Sequence, residues 1–277
     1  MRKLIRSRIG FHLLAAGAGI AACFSTKAQV ISETFNYTVG ANLNGQNGGS
    51  GFSSAWSEGN DFDKIQSGNL SYPFFPSLGN SVSSVPPQDF STAPFRAINT
   101  ISGTDGTSLW VGYLFQKNSD NTQSFPVDSD YFGLVVYGST GNGVFIGDPG
   151  DSTKFAVGTA GAGTGAGELS STDVTLHSTA FLVAKIDFHS GADTISLFVN
   201  PDISAGTPST PSATKNNLDL GNITSIGFLA GWNAVYSYDE IRAGATFSSV
   251  PEPVSAVWVL GACGLFAVIR RYRARRA

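Results

Sequence analysis

The chain has 277 residues, 42% hydrophobic and 13% charged, with 33 Gly, 12 Pro and a formal charge of −3. A charged fraction about half the globular average of ~25%, with glycine this high, excludes a coiled coil and a charge-rich disordered chain. Basic residues gather at the two ends, so the stretch from Gln29 to Ser249 keeps 7 basic against 19 acidic residues; a body so acidic repels phosphate backbones, and nucleic acid is excluded as a partner.

At the N-terminus, Arg2, Lys3, Arg6 and Arg8 precede the apolar run Ile9–Ala22, and Thr26-Lys27-Ala28 permits cleavage before Gln29. This is the pattern of a secretory signal peptide over residues 1–28, with an apolar run too short for the ~20 residues of a spanning helix. Ile20-Ala21-Ala22-Cys23 also resembles a bacterial lipobox, in which Cys23 becomes a lipidated N-terminus. Ordinary cleavage and lipidation both stay open, and either one exports the chain. The second cysteine is Cys263, so residues 29–249 hold no disulfide, cysteine-ligated zinc or cysteine nucleophile.

The body reads as strands. Val30–Tyr37, Ser108–Gln116, Tyr131–Tyr137, Gly143–Ile146, Ala180–His189, Thr194–Asn200, Ser225–Ala230 and Tyr236–Ala243 are rich in Val, Ile, Phe, Tyr and Thr. Ser190-Gly191-Ala192-Asp193 predicts a hairpin turn, and the second half of Ala180–His189 alternates as a strand with one face on a core. Loops are expected at Ser71–Gln88, Gly158–Gly167 and Pro201–Asn217. No shift of composition divides the body, which predicts one all-β domain over 29–249: a two-sheet antiparallel sandwich.

The C-terminus has three parts. Val250-Pro251-Glu252-Pro253 predicts an exposed, extended segment, because neither proline fits a helix interior or a central strand. Val254–Ile269 follows without a charge, and Arg270, Arg271, Arg273, Arg275 and Arg276 then hold the tail on the cytoplasmic side of a membrane. An ordinary stop-transfer anchor has similar parts. Residues 250–277 resemble the PEP-CTERM sorting signal: a Pro-Glu-Pro motif, an apolar transmembrane helix and an arginine cluster. The resemblance implies that an exosortase-type enzyme processes the chain, with Pro251, Glu252 and Pro253 as recognition residues. It also implies a membrane-anchored precursor, and release to the cell surface or the extracellular matrix of an exopolysaccharide-producing bacterium.

Within the body, Glu33-Thr34-Phe35-Asn36-Tyr37 leads through Gly40, Leu43, Gly45-Gln46-Asn47-Gly48-Gly49 and Gly51-Phe52 to Trp56. Gly227-Phe228 and Tyr238-Asp239-Glu240-Ile241-Arg242 close it. Together they resemble the concanavalin A-like, laminin-G-like jelly rolls, a group that implies two packed antiparallel sheets and includes lectins, adhesive modules and glycoside hydrolases.

Those hydrolases carry a Glu-x-Asp-x-x-Glu strand, whose period of two aims both carboxylates at one bond. No such strand occurs. Asp239-Glu240 are adjacent and are expected on opposite faces; Asp61-x-Asp63 and Asp128-x-Asp130 lack the third carboxylate; Glu33, Glu58, Glu168 and Glu240 are scattered. A cross-strand pair stays open. His177 and His189 have no ligand spacing, and the glycines of Gly161–Gly167 lack the Lys-Ser/Thr of a phosphate loop. No cofactor is required. Calcium is the one metal the composition allows, at Asp128 and Asp130 in the oxygen-rich segment that also holds Asp120 and Asn121, with Asp148 and Asp151 forming another; turns favour Asp and Asn for their own reasons. A sugar ring stacks on an aromatic face. Trp56 and Trp110 read as core, whereas Trp232, in Gly231-Trp232-Asn233-Ala234, and Tyr236 are the candidate glycan contacts. The sequence therefore predicts a non-enzymatic protein that binds carbohydrate such as exopolysaccharide, adheres, or builds matrix. A glycoside hydrolase or lyase with an unrecognised site, and a self-assembling surface-layer component, are the alternatives.

Overall fold

The apolar runs and their polar neighbours assemble into fifteen strands in the computed structural model, which describes residues 29–84, 91–119, 130–150, 152–161, 167–231 and 235–251. In chain order these are β1 (Gln29–Glu33), β2 (Asp63–Gln66), β3 (Ser81–Ser84), β4 (Ser91–Thr92), β5 (Phe95–Ile101), β6 (Ser108–Lys117), β7 (Phe132–Gly138) and β8 (Gly143–Asp148). They continue as β9 (Lys154–Thr159), β10 (Glu168–Asp173), β11 (Ala180–Asp187), β12 (Asp193–Val199), β13 (Ala213–Leu218), β14 (Ile223–Gly231) and β15 (Tyr236–Gly244).

All pairings are antiparallel. An eight-stranded sheet runs β13-β12-β11-β6-β15-β3-β2, with β1 sharing the free edge of β15; a seven-stranded sheet runs β10-β9-β8-β7-β14-β4, with β5 sharing the edge of β14. The two-sheet sandwich expected from the sequence is therefore the observed architecture, and the first and last strands pair with each other. Alternate residues of each strand face the opposite sheet. Tyr113 and Phe115 of β6, Tyr236, Tyr238 and Ile241 of β15, Phe132 and Leu134 of β7 and Phe228 of β14 form its centre. The Phe228 and Tyr238 rings lie 4.0 Å apart and the Phe132 and Tyr236 rings 4.9 Å. Each such ring buries ~150–250 Å², which lets a cysteine-free sandwich cohere.

A second apolar cluster covers the outer face of the eight-stranded sheet. Leu70 and Phe75 from the 67–80 loop, and Phe247 and Val250 from the end of the described chain, pack on Trp110, Leu114, Phe181, Val183 and Phe198. This accounts for the continuous apolar start of β11, whose residues Ala180–Ala184 are buried on both faces. Only its end keeps one wet face, where Lys185 pairs with Asp187 at 2.7 Å. The 190–193 hairpin joins β11 to β12 as expected, with Asp187 opposite Thr194.

The structure corrects the expected exposure of the Pro-Glu-Pro segment at its start. Val250 is fully buried and Pro251 is buried, because Gly112 leaves room above β6 for the Val250 side chain, which a Cβ at Gly112 would meet at 2.6 Å. Glu252, Pro253, the 254–269 apolar run and the arginine cluster lie outside the described residues, as does the 1–28 signal with Cys23. Among the described residues, no helix is long and apolar enough to cross a membrane.

Candidate functional site

Of the predicted binding residues, the described pair Asp130 and Tyr236 lie at one end of the sandwich, where β6 ends, β7 begins, β8 ends and β14 hands over to β15. Gly231 donates its N–H to the Tyr131 carbonyl, Asn118 donates to the Val235 carbonyl, and Ser119 Oγ accepts from the Val235 N–H. The described roots of the 120–129 and 232–234 segments are therefore tied together. Asp128 and Trp232 themselves lie outside the described residues.

A nearly buried ion triad anchors this end. Lys117 Nζ lies 3.3 Å from Asp130 Oδ2 and 3.1 Å from Asp148 Oδ2, and 5.8 Å from the centre of the Tyr236 ring. Tyr236 is wholly buried and donates its hydroxyl to the Asp130 carbonyl. Burial is the main force that lifts the Asp148 carboxyl, to about 6; Lys117 and the Gly150 N–H oppose it, and Asp130 adds to it.

One expectation changes here. Tyr236 does not present a face to a sugar: its ring is stacked on Phe132 inside the core. The Asp130 carboxylate faces the Lys117 ammonium, and no group of three or more acidic, histidine or cysteine side chains suited to a metal occurs among the described residues. Calcium takes six to eight oxygens, and Asp128, the other carboxylate of that expectation, lies outside the described residues. Lys117 is what the sequence reading missed. Its signal was a lone cation closing an apolar strand in a body with few cations.

Four of the candidate carboxylates, Asp239, Glu240, Asp63 and Glu33, are buried and hold hydrogen bonds within the fold. Asp239 and Glu240 do not point to opposite faces. A bulge shifts the β15–β6 register between Asp239 and Arg242, with Glu240 at φ +56°, so both carboxylates reach the same outer side. There Asp239 accepts the Leu70 N–H at 3.0 Å, and Glu240 accepts the Leu78 N–H and binds Arg242 at 2.6 Å. Burial first, and then Glu240, push Asp239 up to about 9. On the inner side, Tyr238 donates to Asp63 at 3.0 Å, and burial together with the neighbouring Glu58 raises Asp63 well above the usual carboxylate range.

The opening motif of the jelly-roll resemblance is also a lock. Glu33 accepts from Arg96 at 2.7 Å, Tyr37 at 2.7 Å, Trp56 at 3.2 Å and the Phe35 N–H at 3.0 Å. Arg96 reaches on to Asn47 and Ser54 and stacks over Phe52 at 4.0 Å. Trp56 and Trp110 are core, as expected, and His189 sits by its hairpin against Thr194 at 3.3 Å.

No protein-family model matches the chain, and no curated protein matches it. Among solved structures, the catalytic domain of a glycoside hydrolase family 131 protein from Coprinopsis cinerea is similar at 12% identity, over 83% of this chain and 100% of that one, with a TM-score of 0.49. An endo-1,3-β-glucanase from Streptomyces sioyaensis follows at 10% identity, 80% and 98% coverage and 0.47. Lectin II from Ulex europaeus has 10%, 78% and 99%, and 0.44. Enzymes and a lectin stand side by side at these scores, so they decide neither activity nor ligand.

Proposed function

We propose that the chain is an exported surface or matrix protein whose sandwich binds polysaccharide without cleaving it, delivered by its C-terminal sorting signal. The observation that supports binding is the convergence of the roots of the Trp232 and Asp128 segments on one rigid end, held by the Lys117–Asp130–Asp148 triad. A loop aromatic on a fixed scaffold is the arrangement that stacks on sugar rings. The non-enzymatic reading draws support from Asp239, Glu240, Glu33 and Asp63, whose buried carboxyl groups serve the fold. Export and sorting rest on the signal pattern at 1–28 and on Pro251, Glu252, Pro253 and the arginine-ended apolar run, which an exosortase-type enzyme would read.

The test is calorimetry of residues 29–251 against the exopolysaccharide of the producing cell, with calcium and then with chelator. The fragment runs to Pro251 because Val250 is part of the packing. Saturable binding that Trp232→Ala weakens at least tenfold, about 1.4 kcal/mol, is expected. Absence of binding in both buffers would overturn the reading and favour self-assembly, and reducing sugar released from the polysaccharide would favour the hydrolase.

A further inference from the structure

The 67–80 loop is fastened to the outer face of the eight-stranded sheet at four points. Leu70 donates to Asp239, Leu78 donates to Glu240, the Pro76 carbonyl accepts from Arg242 at 2.7 Å, and Phe75 lies under the Arg242 guanidinium at 4.4 Å. Yet this fixed loop turns two large apolar side chains to solvent: Phe74 is 71% exposed and Leu78 57%. Phe74 adopts φ +61°, a conformation uncommon for a bulky residue; it sends the Phe74 ring outward while Phe75 packs on Phe181 at 5.0 Å. Residues 67–80 carry no Asp, Glu, Lys, Arg or His, in a body with 19 acidic residues. An exposed apolar patch on a rigid support marks a contact surface.

The chain leaves the sandwich on the same face. Phe181 and Val250 both close over Gly112, so Phe75 and the exit at Pro251 share one patch of sheet. From Pro251, only Glu252 and Pro253 intervene before the uncharged run begins at Val254. Three residue steps span at most ~11 Å, close to the ~5–8 Å of one headgroup layer.

We propose that in the membrane-anchored precursor the Phe74/Leu78 loop rests in the lipid interface, so that this face of the sandwich is held against the bilayer until the tail is processed. The proposal rests on the reading of residues 250–277 as a membrane anchor. The contact is apolar. An uncharged loop on an acidic body draws nothing from anionic headgroups, so its occupancy is independent of anionic lipid.

The experiment uses the chain from Gln29 to Ala277 with Cys263→Ser, reconstituted into phosphatidylcholine vesicles containing interface-depth quencher lipid. A fluorophore is attached at Ser71→Cys, beside the apolar pair, or at Leu169→Cys, an exposed site on the other sheet. Strong quenching at 71 and little at 169 is expected, unchanged by added phosphatidylglycerol, and lost in Phe74→Ser/Leu78→Ser. The comparison of 71 with 169 needs no loop variant and stands even if that variant misfolds. Equal quenching at the two sites, in protein that floats with the vesicles, overturns the proposal but leaves the anchor reading intact. Protein that does not float overturns both. Protection at 71 that appears only at high protein-to-lipid ratio overturns the lipid contact in favour of a second copy.

Discussion

Arg96 and Glu33 form a buried ion pair at 2.7 Å, each side chain about 1% exposed, and every arm of the guanidinium has work: Glu33, Ser54, Asn47 and the Phe52 ring. Two charges withdrawn from water hold only while each has its partner. Arg96→Met therefore strands Glu33 and is expected to cost about 3–5 kcal/mol in urea unfolding, whereas adding Glu33→Gln to it should restore part of the loss. A single-variant loss below ~1 kcal/mol would contradict the account of this motif as the lock of the N-terminal segment. At the same scale, Gly112 has no space for a Cβ beneath Val250. Gly112→Ala is expected to loosen residues 247–251 and expose Pro251 to limited proteolysis, and unchanged digestion would refute that role.

The 67–80 loop and the bulge of β15 act as one element, and the pH dependence of the fold is expected there. Burial lifts the Asp239 carboxyl from 3.8 to about 9, and of the charged groups facing it Glu240 adds to the rise and Arg242 opposes it. A carboxyl raised by folding binds more protons in the native state, so its contribution to stability is complete below about pH 4 and is lost as pH rises to about 9. Asp63 acts in the same direction. Denaturant midpoints measured from pH 4 to 9 should fall, and Asp239→Asn should flatten the slope; a slope unchanged in the variant would remove Asp239 from this role. Sequence periodicity missed the pair because period two places Asp239 and Glu240 on opposite faces, and only the bulge brings them together. Strands β1, β6, β7, β8, β11, β12, β14 and β15 were legible from their apolar runs, whereas β5 and β9 were not read, although Phe95–Ile101 and Lys154–Thr159 are as long as several that were. Strands β2, β3, β4, β10 and β13 were also missed, because Asp63–Gln66, Ser81–Ser84, Ser91–Thr92, Glu168–Asp173 and Ala213–Leu218 are short and mostly polar. They become strands through the neighbour that pairs with them, which no local window records. Hence the expected Ser71–Gln88 loop proves to contain β3, and the Pro201–Asn217 loop most of β13.

At the scale of the whole molecule, the two sheets differ in their outer surroundings. The eight-stranded sheet is roofed by the 67–80 loop and by the exit of the chain, while the candidate binding end lies where β6, β7, β8, β14 and β15 meet. Of the sequence candidates, Asp130 lies at that end and Trp232 is outside the described residues, while Tyr236, assigned to the surface, is buried. A tyrosine opening a strand looks the same in sequence whether its ring faces water or the opposite sheet. In the proposed function the sandwich is cargo: exported by one terminus, sorted by the other and left outside the membrane to bind polysaccharide. The intact mass of the mature protein recovered from the surface or medium of the producing cell tests this most directly. The account predicts a species that has lost residues 1–28, or begins at a lipidated Cys23, and has lost the apolar run and arginine cluster; Pro251→Ala/Glu252→Ala/Pro253→Ala should keep that tail. A mature protein that retains Val254–Ala277 in full would contradict it.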